Sequence, residues 1–255
     1  MLFRPVLFVL VVTAALSAQT YSNLDQRTDL DNGSRGWGWC TTCAGGAADA
    51  TEYKMYWFQR PSVDTGGSAQ FFISGPAHSN ALWWHKLGAN DTPTRFKLSF
   101  WVSVDPNTST NVEALEFDAF QFTNGLRYMF GTQCNYSLGV WDIWDEGRSL
   151  WLHTRIPCPK LVPGNWYRII WTFRRGNTSS GPRIRYDTLN VTAYTADRRT
   201  VVSGPTTYTL GTLTSPGPLP SGWGNNLGAQ FQLDLNGKGG TAAMWVDQIT
   251  LTAAP

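Results

Sequence analysis

Charge is scarce in this sequence: only 15% of residues are Asp, Glu, Lys or Arg, and the formal net charge is +2. So weak a field makes neither a nucleic acid nor an anionic membrane surface an expected partner. Histidine is scarcer still. His78, His85 and His153 are the three, and none stands at metal-ligand spacing from another His or a Cys, which disfavours a zinc hydrolase or a copper enzyme. Gly-x-Ser-x-Gly, a Walker loop and Gly-x-Gly-x-x-Gly are all missing, so serine-hydrolase, nucleotide and dinucleotide chemistry have no support. Long hydrophobic runs are missing too, since a span needs roughly 20 apolar residues to cross about 30 Å of bilayer. The nearest approach, residues 6–16, follows Arg4 and precedes the small residues Ser17 and Ala18, the layout of a secretory signal peptide. The expectation is a leader over 1–18, one domain over 19–255, and a secreted protein, extracellular or periplasmic.

Aromatic and apolar material is plentiful, with 42% hydrophobic residues and 13 Trp, which excludes disorder. No stretch shows a sustained 3.6-residue apolar period; the clear patterns alternate with period two. In RFKLSFWVSV, residues 95–104, Phe96, Leu98, Phe100, Val102 and Val104 form one row, and Arg95, Lys97, Ser99, Trp101 and Ser103 the other. Residues 229–236 repeat the logic: Ala229, Phe231, Leu233 and Leu235 oppose Gln230, Gln232, Asp234 and Asn236. Further strands are predicted over 69–73, 82–87, 114–122, 128–134, 140–144, 150–155, 166–173, 184–192 and 243–251. Turn-rich stretches such as DPNTSTN and NGKGG separate them. The fold class is therefore all-β, a two-sheet antiparallel sandwich of the jelly-roll kind. In a secreted chain the four cysteines imply two disulfides, and of three connectivities Cys40–Cys43 with Cys134–Cys158 is the one expected.

The segment EALEFDAFQF carries the chemistry. Glu116 and Asp118 are two apart in a predicted strand and project from one face. Such a pair serves glycosidic-bond hydrolysis, in which carboxyl groups divide the acid and nucleophile roles, or supplies oxygens to a cation. The run Leu115-Glu116-Phe117-Asp118-Ala119-Phe120 is similar to the Val-Glu-Phe-Asp-Thr-Phe strand of legume lectins, and the sequence resembles the concanavalin A-like lectin and glucanase superfamily. The lectin resemblance implies metal binding through Glu116, Asp118 and an Asn. Asn124 falls one residue late for that Asn, and no Asp or His follows at matching positions, so a full two-metal site is not implied. The segment also resembles the Glu-x-Asp-x-x-Glu strand of laminarinase-like retaining hydrolases. That likeness puts Glu116 at the nucleophile, Asp118 at the assisting carboxylate and Gln121 at the acid/base, where an amide has no proton to deliver. Glu113, three residues from Glu116, belongs to the opposite face of a regular strand.

Around this segment, Trp101 and Trp144 lie on polar rows, and Gln133, Gln230, Gln232 and Asp234 form amide-rich rows that suit sugar hydroxyls. Trp144 shares its face with Asp142. His153, helped by Tyr128 or Arg127, is placed to act as base and charge neutraliser in a polysaccharide lyase. The reading favoured is a secreted binder of extracellular polysaccharide or oligosaccharide, using a groove on one sheet. The alternative is a degrading enzyme, a glycoside hydrolase through Glu116 or a lyase through His153. No cofactor is required, structural calcium is compatible with the carboxylates, and a monomer is expected.

Overall fold

The computed structural model describes residues 17–43 and 45–255. The leader expected over 1–18 therefore lies outside the described residues up to position 16.

Alternating sequence becomes two antiparallel sheets that face each other. Among the described residues the first sheet has eight strands. Its order is Val201–Thr214, Gly181–Tyr194, Trp166–Thr178, Arg95–Val104, Gly240–Ala254, Ser68–Gly75 and Glu52–Gln59, with Gln19–Tyr21 paired to Gly240–Ala254. The second has ten strands, in the order Leu150–Pro157, Val140–Asp145, Thr132–Asn135, Val112–Thr123, Asn226–Leu235, Ser79–Leu87 and Arg35–Cys40. Leu126–Phe130 returns beside the end of Val112–Thr123 and carries Gly217–Pro218, while Ala48–Asp49 pairs in parallel with Ser79–Leu87.

The apolar rows meet in the middle. Phe71 and Phe100 of the eight-stranded sheet interleave with Phe117 and Phe231 of the other, with ring centroids 4.9 Å apart for Phe100–Phe117 and 5.3 Å for Phe71–Phe231. Phe130 stacks on Phe173 and Trp141 meets Trp171 edge-on, so each sheet's inward row fills the gaps of the other. The rows expected inside, from Phe96 to Val104 and from Ala229 to Leu235, are all buried.

Three differences from the sequence reading have local causes. The strand expected over 128–134 is two strands broken at Gly131, because Leu126–Phe130 pairs with the end of Val112–Thr123 and Thr132–Asn135 pairs with its start. Val201–Thr214 is a strand although its sequence shows no alternation. It lies at a sheet edge, mostly exposed, and three register shifts accommodate its irregular pairing with Gly181–Tyr194. Glu52–Gln59 and Arg35–Cys40 are likewise strands at sheet edges. Both disulfides form as expected, Cys40–Cys43 at the end of an edge strand and Cys134–Cys158 beneath the second sheet.

Candidate functional site

The second sheet presents an outer face that is polar along its middle and aromatic along its rim. Cross-strand pairing sets Gln133 opposite both Glu116 and Asp142, Glu116 opposite Gln232, and Asp142 opposite His153. One row of side chains thus crosses five strands: His153, Asp142, Gln133, Glu116 and Gln232. Neighbouring strands lie about 4.8 Å apart, so the row is roughly 19 Å long. The next row holds Trp151, Trp144, Asp118, Gln230 and Trp84. The second row, with Glu116 and Gln232 of the first, floors a cleft of about 450 Å³, with Arg127, Glu146 and Trp223 on its rim.

Hydrogen bonds lock the floor. Gln232 Nε2 donates to Glu116 Oε1 and to Asp234 Oδ1, each at 2.8 Å. Asp118 accepts from the Thr132 amide at 2.7 Å and from Gln230 Nε2 at 2.6 Å. Buried Asp142 accepts from Gln133 Nε2 at 2.8 Å and Asn135 Nδ2 at 2.9 Å, and pairs with His153 Nδ1 at 3.0 Å.

The walls are indoles. Trp144 meets Trp151 at a centroid distance of 5.1 Å and donates through Nε1 to Glu146, which also pairs with Arg127. Gly131 makes room for this corner, since a Cβ there would sit 2.7 Å from that of Trp144. At the other end Trp223 packs against Trp84, Phe120 and Phe122, with the Lys86 ammonium 4.1 Å from its ring centre. Trp84 is fixed by its Nε1 donating to Asp31 at 2.8 Å, and it packs where Gly38 lacks a side chain.

Burial dominates the electrostatics. It pushes the Glu116 carboxyl well above its ordinary range, and nearby Asp234 and Asp118 push it further, which favours a protonated Glu116 hydrogen-bonded to Asp234. Burial likewise raises Asp118 to about 7, against the lowering pull of the Thr132 and Gln230 donors. Asp234 is raised to about 6 by burial, opposed by hydrogen bonds from Glu116, Gln232 and Asn80. The arrangement therefore offers acids, bases and amides in one place, all able to hold hydroxyl groups.

The structure thus brings Glu116, Asp118, Gln133, Trp144, Gln230, Gln232, Asp234 and His153 to one face, and leaves two candidates elsewhere. Trp101 lies on the outside of the other sheet, tilted against Tyr194 at 4.9 Å and beneath Arg168; strand alternation set its face but not its sheet. Gln121 points away from the cleft. Val112–Thr123 runs without a bulge past Asp118, so a step of three reverses the face, and Gln121 Nε2 instead donates to the carbonyls of Asn90 and Pro93. Glu113 is the opposite case: a register shift beside it turns it toward the cleft, where it pairs with His78 at 3.3 Å.

Two other expectations change. Asn124 occupies, with Gly125, the two-residue turn joining Val112–Thr123 to Leu126–Phe130; both have positive φ, 53° and 73°, and Asn124 is exposed away from the carboxylates. For a lyase, His153 lacks its helpers, because Tyr128 is buried in the core and Arg127 is held by Glu146. Among the described residues no group of three or more His, Cys, Asp or Glu is arranged to hold a metal ion.

Trp84, Trp151 and Trp223 escaped the sequence reading as walls. The Trp83–Trp84 doublet carried a signal, because adjacent strand residues cannot both face the core. Trp223 sits in a loop and has no periodic signal.

No protein-family profile and no curated protein sequence matches the chain. Solved structures do resemble it. Lectin II from Ulex europaeus is 12% identical, with a TM-score of 0.48 over 93% of this chain and 99% of that one. Arcelin-5, a lectin-like defense protein from Phaseolus vulgaris, is 10% identical, with a TM-score of 0.47 over 92% and 98%. A carbohydrate esterase from the Shiga toxin-encoding bacteriophage phi24B is 13% identical, with a TM-score of 0.43 over 94% and 100%. At these identities the likeness is one of fold.

Proposed function

We propose that residues 19–255 act as one secreted carbohydrate-binding domain, holding a stretch of extracellular polysaccharide in the cleft of the ten-stranded sheet. The observation that carries this reading is the pairing of indole walls, Trp84, Trp144, Trp151 and Trp223, with a floor of carboxyl and amide groups. Sugar rings present C–H faces that stack on indoles and hydroxyls that bind amides and carboxylates, so this division of surfaces matches both sides of a glycan. The leader pattern and two disulfides support an oxidising, extracellular setting.

Titration calorimetry against a panel of neutral, amino and acidic oligosaccharides tests the reading, with Trp144→Ala and Trp223→Ala as controls. Saturable binding that falls at least about tenfold in both variants is expected, a loss of about 1.4 kcal/mol or more. Failure of the folded protein to bind any glycan rejects the reading.

One observation favours a second reading, glycoside hydrolysis. Glu116 lies on the cleft floor beside Asp118, and burial pushes its carboxyl toward the acid form that a leaving glycosidic oxygen needs. New oligosaccharide ends that appear over time and vanish in Glu116→Gln would establish it.

A further inference from the structure

A second cavity, of about 470 Å³, adjoins the first. Gly45, Glu116, Trp151 and Gln232 line both, so the two form one groove whose halves differ in kind. The first half is walled by indoles. The second is lined by amides, by Glu113, Glu116 and Asp234, and by His78 and His153; among the described residues no Lys or Arg lines it.

The acids of this groove fall into two groups. Glu146 and Glu113 each have a basic partner, Arg127 and His78, as does Asp142, buried beneath the groove, in His153. Glu116, Asp118 and Asp234 have none among the described residues; the donors that reach them belong to amide side chains, to the Thr132 backbone and, for Asp234, to the Glu116 carboxyl. Such neutral donors satisfy hydrogen bonds but bring no positive charge, so burial and mutual crowding hold these carboxyls toward their acid forms. The polar half is therefore a built cavity floored by crowded carboxyls that lack a cationic partner among the described residues, joined to a stacking surface.

We propose that the polar half takes an amino sugar, a pyranose carrying a free ammonium group, seated against Glu116 and Asp234 while the adjoining sugar stacks in the aromatic half. The proposal rests on the carbohydrate-binding reading and names its ligand class. An ammonium brings three donors and the positive charge that the floor lacks, whereas a uronate or a sulfate adds negative charge where two or three carboxyls already crowd. Seating the ammonium also removes the reason for Glu116 and Asp234 to share a proton. The amine arrives as R–NH₃⁺, the carboxyl pair becomes two carboxylates, and the displaced proton leaves to solvent.

The test is calorimetry at pH 6 with three tetrasaccharides: β-linked glucosamine, its N-acetylated form and the glucose counterpart. The amine form is expected to bind about tenfold or more tightly than the other two, as a charge-assisted contact implies. Its heat is expected to change with the ionisation enthalpy of the buffer, reporting proton release. Asp234→Asn and Glu116→Gln keep the shape of the floor and are expected to bring the ratio of affinities for the amine and the neutral sugar down to about one, whatever each variant does to sugar binding as a whole. Equal affinity for all three sugars overturns the inference and leaves the reading of the cleft intact. Binding of none of them by folded protein overturns both. Calcium alone binding the wild type and displacing the amine overturns the inference as well, because a metal would then be the missing counter-charge.

Discussion

Replacing Asp25 with Asn should remove one component of the loss of stability with rising pH, and the size of the effect follows from one buried carboxyl. Asp25 lies in the short 3₁₀ turn Leu24–Gln26, packed against Gly240–Ala254 and fully buried. Its Oδ1 accepts the Ile249 amide at 2.7 Å, and its Oδ2 has no partner among the described residues. Burial, reinforced by the negative charges of Asp247 and Asp64, raises its pKa from 3.8 to about 7, against the pull of the Ile249 N–H. The folded protein therefore keeps a proton that the unfolded chain has lost between about pH 4 and pH 7. That stabilisation is fully present below pH 4 and is lost as pH rises toward 7; a shift of about three units corresponds to about 4 kcal/mol. Asn keeps an acceptor for Ile249 and does not ionise. Other titrating groups cancel when mutant and wild type are compared. The difference in unfolding free energy, mutant minus wild type, should climb by about 4 kcal/mol between pH 4 and 8, most of it below pH 7. Asn also brings a donor where Oδ2 had no partner, which adds a constant offset and no slope. Urea unfolding followed by Trp fluorescence at half-unit steps measures the difference, with equal m-values required for the comparison. A difference that stays flat across this window would refute the argument, because Asp25 would then be ionised in the fold as it is in water.

The two disulfides should differ in worth. Cys134–Cys158 closes a 24-residue separation and its double Ala variant should lose about 3.5 kcal/mol, against about 1.6 kcal/mol for the three-residue separation of Cys40–Cys43, both read from denaturant midpoints. Gly131→Ala should push Trp144 out of its corner, costing about 1–3 kcal/mol of stability and weakening glycan binding; unchanged affinity in calorimetry would show that Trp144 is not a wall of the site.

The side of a strand from which each residue projects was legible in the sequence, because alternation is a local steric property of extended backbone. Glu116 with Asp118, Gln230 with Gln232 and Asp234, and Asp142 with Trp144 could all be grouped that way. The same rule assigns Gln121 to the far face; the family likeness placed it at the centre, and the regular strand keeps it where alternation puts it. Two exceptions were illegible. Glu113 turns toward the cleft at a register shift, which depends on a partner strand more than a hundred residues away, and Trp223 reaches the site from a loop.

From composition and alternation alone came the all-β class, the inward rows and the acid pair on one face, since each depends on neighbours within a few residues. Tertiary structure alone decided which rows meet. Strand pairing between Val112–Thr123 and Asn226–Leu235 set Gln232 against Glu116, and sheet membership sent Trp101 to the opposite side of the molecule. The crowding that keeps Glu116 protonated also arises only there, because it needs Asp234 brought across the sheet and water kept out, and neither is encoded at Glu116 itself.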